Sequence, residues 1–114
     1  MTTVFGKIIR GELPCNKVFE NPRILAFKDI APKAPVHILI IPKKEISCLQ
    51  DVEADDLPLL AEMLSVAQQL AKEFSIADGY RLITNNGKKG GQMVDHLHFH
   101  LIGGKTFASH TGLE

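Results

Sequence analysis

The run His96-Leu-His-Phe-His100 places three imidazoles at alternate positions. If these residues form a strand, His96, His98 and His100 share one face and Leu97, Phe99 and Leu101 the other. Neighbours on one face lie about 6.5–7 Å apart at Cα. Like charges at that separation disfavour one another, so at least one ring stays neutral near pH 7. A neutral imidazole is what a nucleophile or a general base needs, and equally what a metal ion needs. Two chemistries are therefore open. Alternate histidines can converge on zinc, and His37 could add a ligand if its strand lies beside this one. Against a catalytic zinc hydrolase, the chain has no HExxH helix and no glutamate near the histidines. The second chemistry is phosphate transfer. Just upstream stands Asn85-Asn-Gly-Lys-Lys-Gly-Gly-Gln92, whose glycines let backbone N–H groups approach an anion.

The elements that must position these groups follow from periodicity. Residues 3–10 predict a short helix capped by Thr2 or Thr3, with Phe5, Ile8 and Ile9 on its apolar side and Gly11 at its end. Residues 17–20 and 24–29 predict two strands joined at Asn21-Pro22, and residues 36–41 a third, bracketed by Pro35 and Pro42. A long helix is expected over 54–74, with Leu57, Leu60, Leu64, Ala67, Leu70, Ala71 and Phe74 on its apolar face. Residues 80–84 and 96–102 predict the last two strands. This order is α+β, with a five-stranded antiparallel sheet covered on one face by the long helix.

With 114 residues and neither repeat nor linker, the chain reads as a single domain spanning 1–114, its core at about 4–104 and a tail at 105–114. Thirteen basic residues balance thirteen acidic ones, which removes the overall attraction that nucleic-acid or acidic-membrane binding relies on. Neither is expected as a partner. Cys15 and Cys48 follow no paired pattern and read as free thiols in a reducing, cytoplasmic compartment. The first dozen residues hold no apolar stretch of the about 7–15 residues a signal peptide needs, so none is expected, and no run approaches the roughly 18 apolar residues that span a bilayer.

The histidine run resembles the signature of the histidine triad (HIT) superfamily, His-φ-His-φ-His-φ-φ with φ apolar, as His96-Leu-His-Phe-His-Leu-Ile102. His100 distinguishes it from the galactose-1-phosphate uridylyltransferase branch, which has glutamine there. Phe5-Gly-Lys-Ile-Ile-Arg10, Leu25-Ala-Phe-Lys-Asp-Ile30, Ala34-Pro-Val-His-Ile-Leu-Ile-Ile-Pro-Lys43, Gly79-Tyr-Arg81 and Gly90-Gly-Gln92 are similar to the Hint branch. The likeness runs from about Val4 to Gly104.

The resemblance implies a HIT-like fold and a homodimer whose two sheets join into one of ten strands. It implies binding of purine nucleoside monophosphates and hydrolysis of P–N bonds in nucleoside phosphoramidates or aminoacyl adenylates. His98 would be the nucleophile, forming a nucleotidyl-histidine intermediate. His100 would contact the phosphate and assist the leaving group, and His37 and His96 would orient and tune His98. Asp29 would hold the ribose, and Phe5, Ile8, Phe27, Ile30 and Leu39 the base. Asn85, Gly91, Gln92 and Met93 would form the phosphate side. The scheme requires no metal and no cofactor. The competing reading is a nucleotide-binding or zinc-binding module with little turnover. Two positions depart from the branch, where serine is frequent at Met93 and tyrosine usual at Asp95. The tail resembles bacterial members, and His110 in it is a candidate accessory contact.

Overall fold

A computed structural model of the chain describes residues 3–108. The first helix, α1 (Val4–Ile9), begins where Thr3 Oγ1 accepts the Gly6 N–H at 3.0 Å, and ends at Gly11, whose φ of +78° is open to glycine. Strands β1 (Lys17–Glu20) and β2 (Ile24–Lys28) form a hairpin. Its turn is held by Asn21, whose side-chain oxygen accepts the N–H groups of Arg23 and Ile24 at 2.8 Å each. Then come β3 (Val36–Pro42), α2 (Leu57–Glu73), β4 (Tyr80–Ile83) and β5 (Phe99–Gly103). The sheet is antiparallel throughout, in the order β1-β2-β3-β5-β4.

The two central strands are apolar on both sides because both sides are covered. Ile24, Ala26, Ile38, Ile40, Phe99 and Leu101 pack with Met63, Val66, Ala67 and Leu70 of α2. On the opposite face Leu25, Phe27, Leu39 and Ile41 pack with Phe5 of α1. Alternation along β2 and β3 thus feeds two separate interiors, one under each helix.

Three expectations about these elements are corrected. The helix expected over 54–74 starts at Leu57, because residues Ala54–Asp56 make a tighter 3₁₀ turn closed by a reciprocal Glu53–Asp56 capping box. Its buried stripe runs through Met63, Val66, Ala67, Leu70 and Ala71. Leu57 and Leu64, expected on that stripe, are 58% and 47% exposed, since they lie roughly a quarter turn round the helix from its centre. The strand expected over 96–102 begins only at Phe99. Before it, Thr84 Oγ1 donates to the His98 carbonyl and the Leu97 N–H to the Ile46 carbonyl, so the backbone there is satisfied outside the ladder. The inside-outside alternation still holds: Leu97, Phe99 and Leu101 are buried, and the histidines turn the other way.

No helix among the described residues is long and apolar enough to cross a membrane. His110 and the end of the tail lie outside the described residues.

Candidate active site

The site lies on the α1 side of the sheet, where the antiparallel register sets Leu39 of β3 opposite His100 of β5. A cavity of about 360 Å³ opens there. Phe5, Ile8, Phe27 and Leu39 form an apolar slot on one side, and Asn85, Gly91, Met93, His98 and His100 close the other. Asp29 stands on the wall at the end of β2, its Oδ1 accepting the Ala31 N–H at 2.8 Å.

The four candidate histidines fall into two pairs. His98 Nδ1 lies 2.7 Å from the His96 carbonyl oxygen, which can only accept, so Nδ1 carries the proton and Nε2 keeps its lone pair. The His98 ring is held edge-on by Phe5, with centroids 5.0 Å apart. His96 is fully buried and does not reach the cavity. Its Nε2 donates to the Pro42 carbonyl at 2.7 Å, tying the triad to the end of β3, while its Nδ1 has no partner. In the second pair, His37 Nε2 lies 2.9 Å from His100 Nδ1 and 3.4 Å from Asp29 Oδ2. His37 Nδ1 receives the Lys33 N–H at 3.0 Å. His37 stands behind the wall, and His100 forms part of it.

All four rings titrate below the ordinary histidine value, and burial is the largest cause for each. Desolvation lowers His98 against the opposing pull of the His96 carbonyl and Asp29. His100 goes furthest, to about 4, through burial first and then the neighbouring His98 and His37. The triad is therefore neutral at pH 7. One lone pair in this state, on His98 Nε2, is suited to attack at phosphorus.

Loop 85–91 takes its shape from Gly91, whose φ of +89° ends the short 3₁₀ turn Lys88–Gly90. Gln92, expected among the ligand contacts, is placed elsewhere. Its Oε1 accepts the Gly87 N–H at 2.8 Å, and its Nε2 donates to the Ser47 and Val94 carbonyls at 2.7 and 2.9 Å. Every polar atom of its amide is engaged inside the protein, so Gln92 braces the loop rather than lining the cavity. Ile30 is also not an inner wall: it sits fully exposed on the rim, at the start of the proline-bracketed loop. Met93 shares that rim at 91% exposure.

Sequence reasoning missed Val4, Pro14, Cys15, Lys28 and Val94, which also face the cavity. Val4 sits one turn before Ile8 on α1, which was a usable signal. Cys15 and Val94 pack against the second core cluster, and no local pattern marks them. Convergence of the triad on one ion is not what the geometry offers. Among the described residues, the ligand-type side-chain atoms that come together, all within 4.8 Å, belong to Asp29, His37 and His100.

The HIT domain family matches residues 10–107 of this chain. A HIT-like protein of Chlamydia pneumoniae is 56% identical over 103 residues, covering 90% of this chain and 94% of that protein. The solved structure of a HIT family hydrolase from Legionella pneumophila superposes with a TM-score of 0.92 at 48% identity, over 96% of this chain and 98% of the other. A histidine triad nucleotide-binding protein from Candida albicans is 34% identical with a TM-score of 0.80, over 97% and 87%. Fold, triad and match agree: this chain belongs to the HIT domain family.

Proposed function

We propose that this protein is a nucleotide hydrolase of the Hint type, releasing a purine nucleoside monophosphate from phosphoramidates or aminoacyl adenylates. The observation that carries the reading is the 2.7 Å approach of His98 Nδ1 to the His96 carbonyl, which assigns the ring proton to Nδ1 and the lone pair to Nε2 of a residue that lines the cavity. The cavity volume lies at the lower end of the range for small-ligand sites. Its apolar slot suits a flat base, Asp29 suits ribose hydroxyls as an acceptor, and the Asn85–Gly91 side suits phosphate.

Chemistry proceeds in two displacements. His98 Nε2 attacks the α-phosphorus, and the P–N bond breaks with its electron pair leaving on the amine. The amine takes a proton from a donor on the wall, and His100 is the candidate for that donor. Water then attacks phosphorus and returns a proton to His100, the phosphorus–nitrogen bond breaks with its electron pair left on His98 Nε2, and the monophosphate departs. Splitting one displacement into two avoids a direct attack by water on the amidate. The Gly91 N–H is taken by the Lys88 carbonyl and the Gln92 N–H by the Gly87 carbonyl, so the Met93 main-chain N–H is the backbone donor that would stabilise charge on the phosphoryl oxygens. None of these steps needs a metal or cofactor.

The test is incubation with an adenosine phosphoramidate, with and without chelator, beside His98→Ala. Release of AMP that resists chelator and disappears in the variant supports the reading. Turnover that chelator abolishes and zinc restores overturns it for the metal reading, and tight AMP binding without turnover overturns it for a binding module.

A homodimer belongs to the same proposal. Among the described residues β4 ends the sheet with no strand on its outer edge, and all four of its residues are half-buried, as a strand awaiting a neighbour would be. Light scattering should give twice the chain mass of 12.6 kDa. A monomer at micromolar concentration would count against it. The half-buried free thiols of Cys15 and Cys48 fit a reducing cytoplasm.

A further inference from the structure

We infer that the main-chain N–H of Lys33 is a positioning group that sets the proton order of the His37–His100 pair, so that His100 turns an Nε2–H donor toward the cavity. An amide N–H can only donate, so its 3.0 Å bond makes His37 Nδ1 the acceptor. His37 is neutral, through burial first, with the Lys33 charge acting in the same direction and Asp29 against it. Its one proton is therefore on Nε2. That atom lies 2.9 Å from His100 Nδ1 and 3.4 Å from Asp29 Oδ2, and it donates to the nearer. His100 Nδ1 is then an acceptor as well. A neutral His100 keeps its single proton on Nε2, the nitrogen not engaged by His37.

Adjacent rings of the triad thus present opposite polarity, although their centroids are only 5.0 Å apart. His98 offers a lone pair at Nε2, because a carbonyl holds its Nδ1 proton. His100 offers a proton at Nε2, because an amide two hydrogen bonds away forbids the alternative. The same order leaves no lone pair at His37 Nε2, so a metal ion shared by Asp29, His37 and His100 would have to displace that proton and break the Lys33 bond. The amide is well fixed for this role. Lys33 lies between Pro32 and Pro35, and the Ala31 N–H is tied to Asp29 Oδ1. The charged and titratable groups facing His37 are Asp29 and Lys28 at the end of β2, Lys33 in the loop, and His100 of β5. None of these side chains donates to Nδ1, which leaves the amide as the one group that sets the order.

The proton order concerns the ligand-free protein, and its use in proton donation rests on the hydrolase reading above. Long-range ¹H–¹⁵N NMR on the full chain at pH 7 reads each ring nitrogen directly. His37 and His100 should show protonated Nε2 and bare Nδ1, and His98 the reverse. His37 as the Nδ1–H form or as the cation overturns the inference. Lys33→Pro deletes the N–H, while Lys33→Ala keeps it and removes the charge. The alanine variant should preserve all three tautomers. The proline variant should let His37 take the Nδ1–H form and raise the pH at which His100 titrates, by roughly one unit. An unchanged His37 spectrum in Lys33→Pro overturns the inference. If that variant does not fold, the parent and alanine spectra still decide it. A protein with the expected spectra but no phosphoramidate turnover supports the proton order and counts against the hydrolase reading alone.

Discussion

Phe5 touches both of the things this molecule must do. Its ring packs edge-on against Phe27 at 5.7 Å and against His98 at 5.0 Å, and it is buried in the core cluster beneath α1. The same ring is part of the apolar slot. Phe5→Ala should therefore cost about 3 kcal/mol of stability, the lower end of the range for a buried phenylalanine, because the site already borders open space. It should also raise KM and lower kcat together, since both the slot and the stop for the His98 ring are lost. Urea titration and steady-state kinetics on the same variant check this, and a stability loss below 1 kcal/mol would contradict the packing role. Much of the residue scale was legible beforehand. Alternation marked the triad, and resemblance singled out His98. What stayed hidden was each imidazole's proton, because tautomers depend on carbonyls and amides brought from elsewhere, such as His96 O and Lys33 N–H.

Among elements, the loop before the triad is the most exposed to failure. It is held chiefly by Gln92, which makes three hydrogen bonds to main-chain atoms at Gly87, Ser47 and Val94, with Asn86 Oδ1 accepting the Gln50 N–H at 2.8 Å as a further tie. Gln92→Ala leaves those groups without partners and should destabilise the protein by about 1–3 kcal/mol. Hydrogen exchange of residues 86–92 should speed up in the ligand-free variant. If Gln92 instead touched the ligand, KM would rise with exchange unchanged, and the bracing role would be wrong. The sequence shows such limits plainly. Strands β1 to β4, α1 and the body of α2 follow from period and punctuation, because their burial is local in cause. The start of β5 does not, because Thr84 and Ile46 capture the backbone of 97–98 from distant segments. Leu57 and Leu64 were placed on the core face for a similar reason: leucine count outweighed the stripe centred on Met63 and Val66.

For the whole molecule, holding four neutral histidines, three buried and His100 half-buried, couples the fold to acidity. Each has a native pKa below its unfolded value near 6.5, with burial the leading cause. As pH falls through that value the unfolded chain takes up protons that the native rings refuse. The unfolded state then binds more protons, so stability is present above about 6.5 and is lost on acidification. For His100 the loss extends down to its native value of about 4. Melting temperatures should fall steadily between pH 6.5 and 4, and His100→Gln should flatten the fall. A melting point indifferent to pH across that interval would contradict neutral burial.

The two interiors of this molecule are not alike in how they end. The one under α2 is closed by its own side chains. The one under α1 is not: Phe5, Phe27 and Leu39 belong to its cluster and also face the cavity, with Ile8, Cys15 and Val94 packed beside them. A bound nucleotide would act there as the last piece of hydrophobic filling. Saturating AMP should therefore raise the melting temperature, and at a concentration 100 times Kd it should add about 2.7 kcal/mol to stability. Absence of any shift would show that the slot does not take the base. The wider consequence is evolutionary. Along this wall, selection for folding and selection for ligand act on the same atoms, so substitutions that retune specificity carry a stability cost that those under α2 do not.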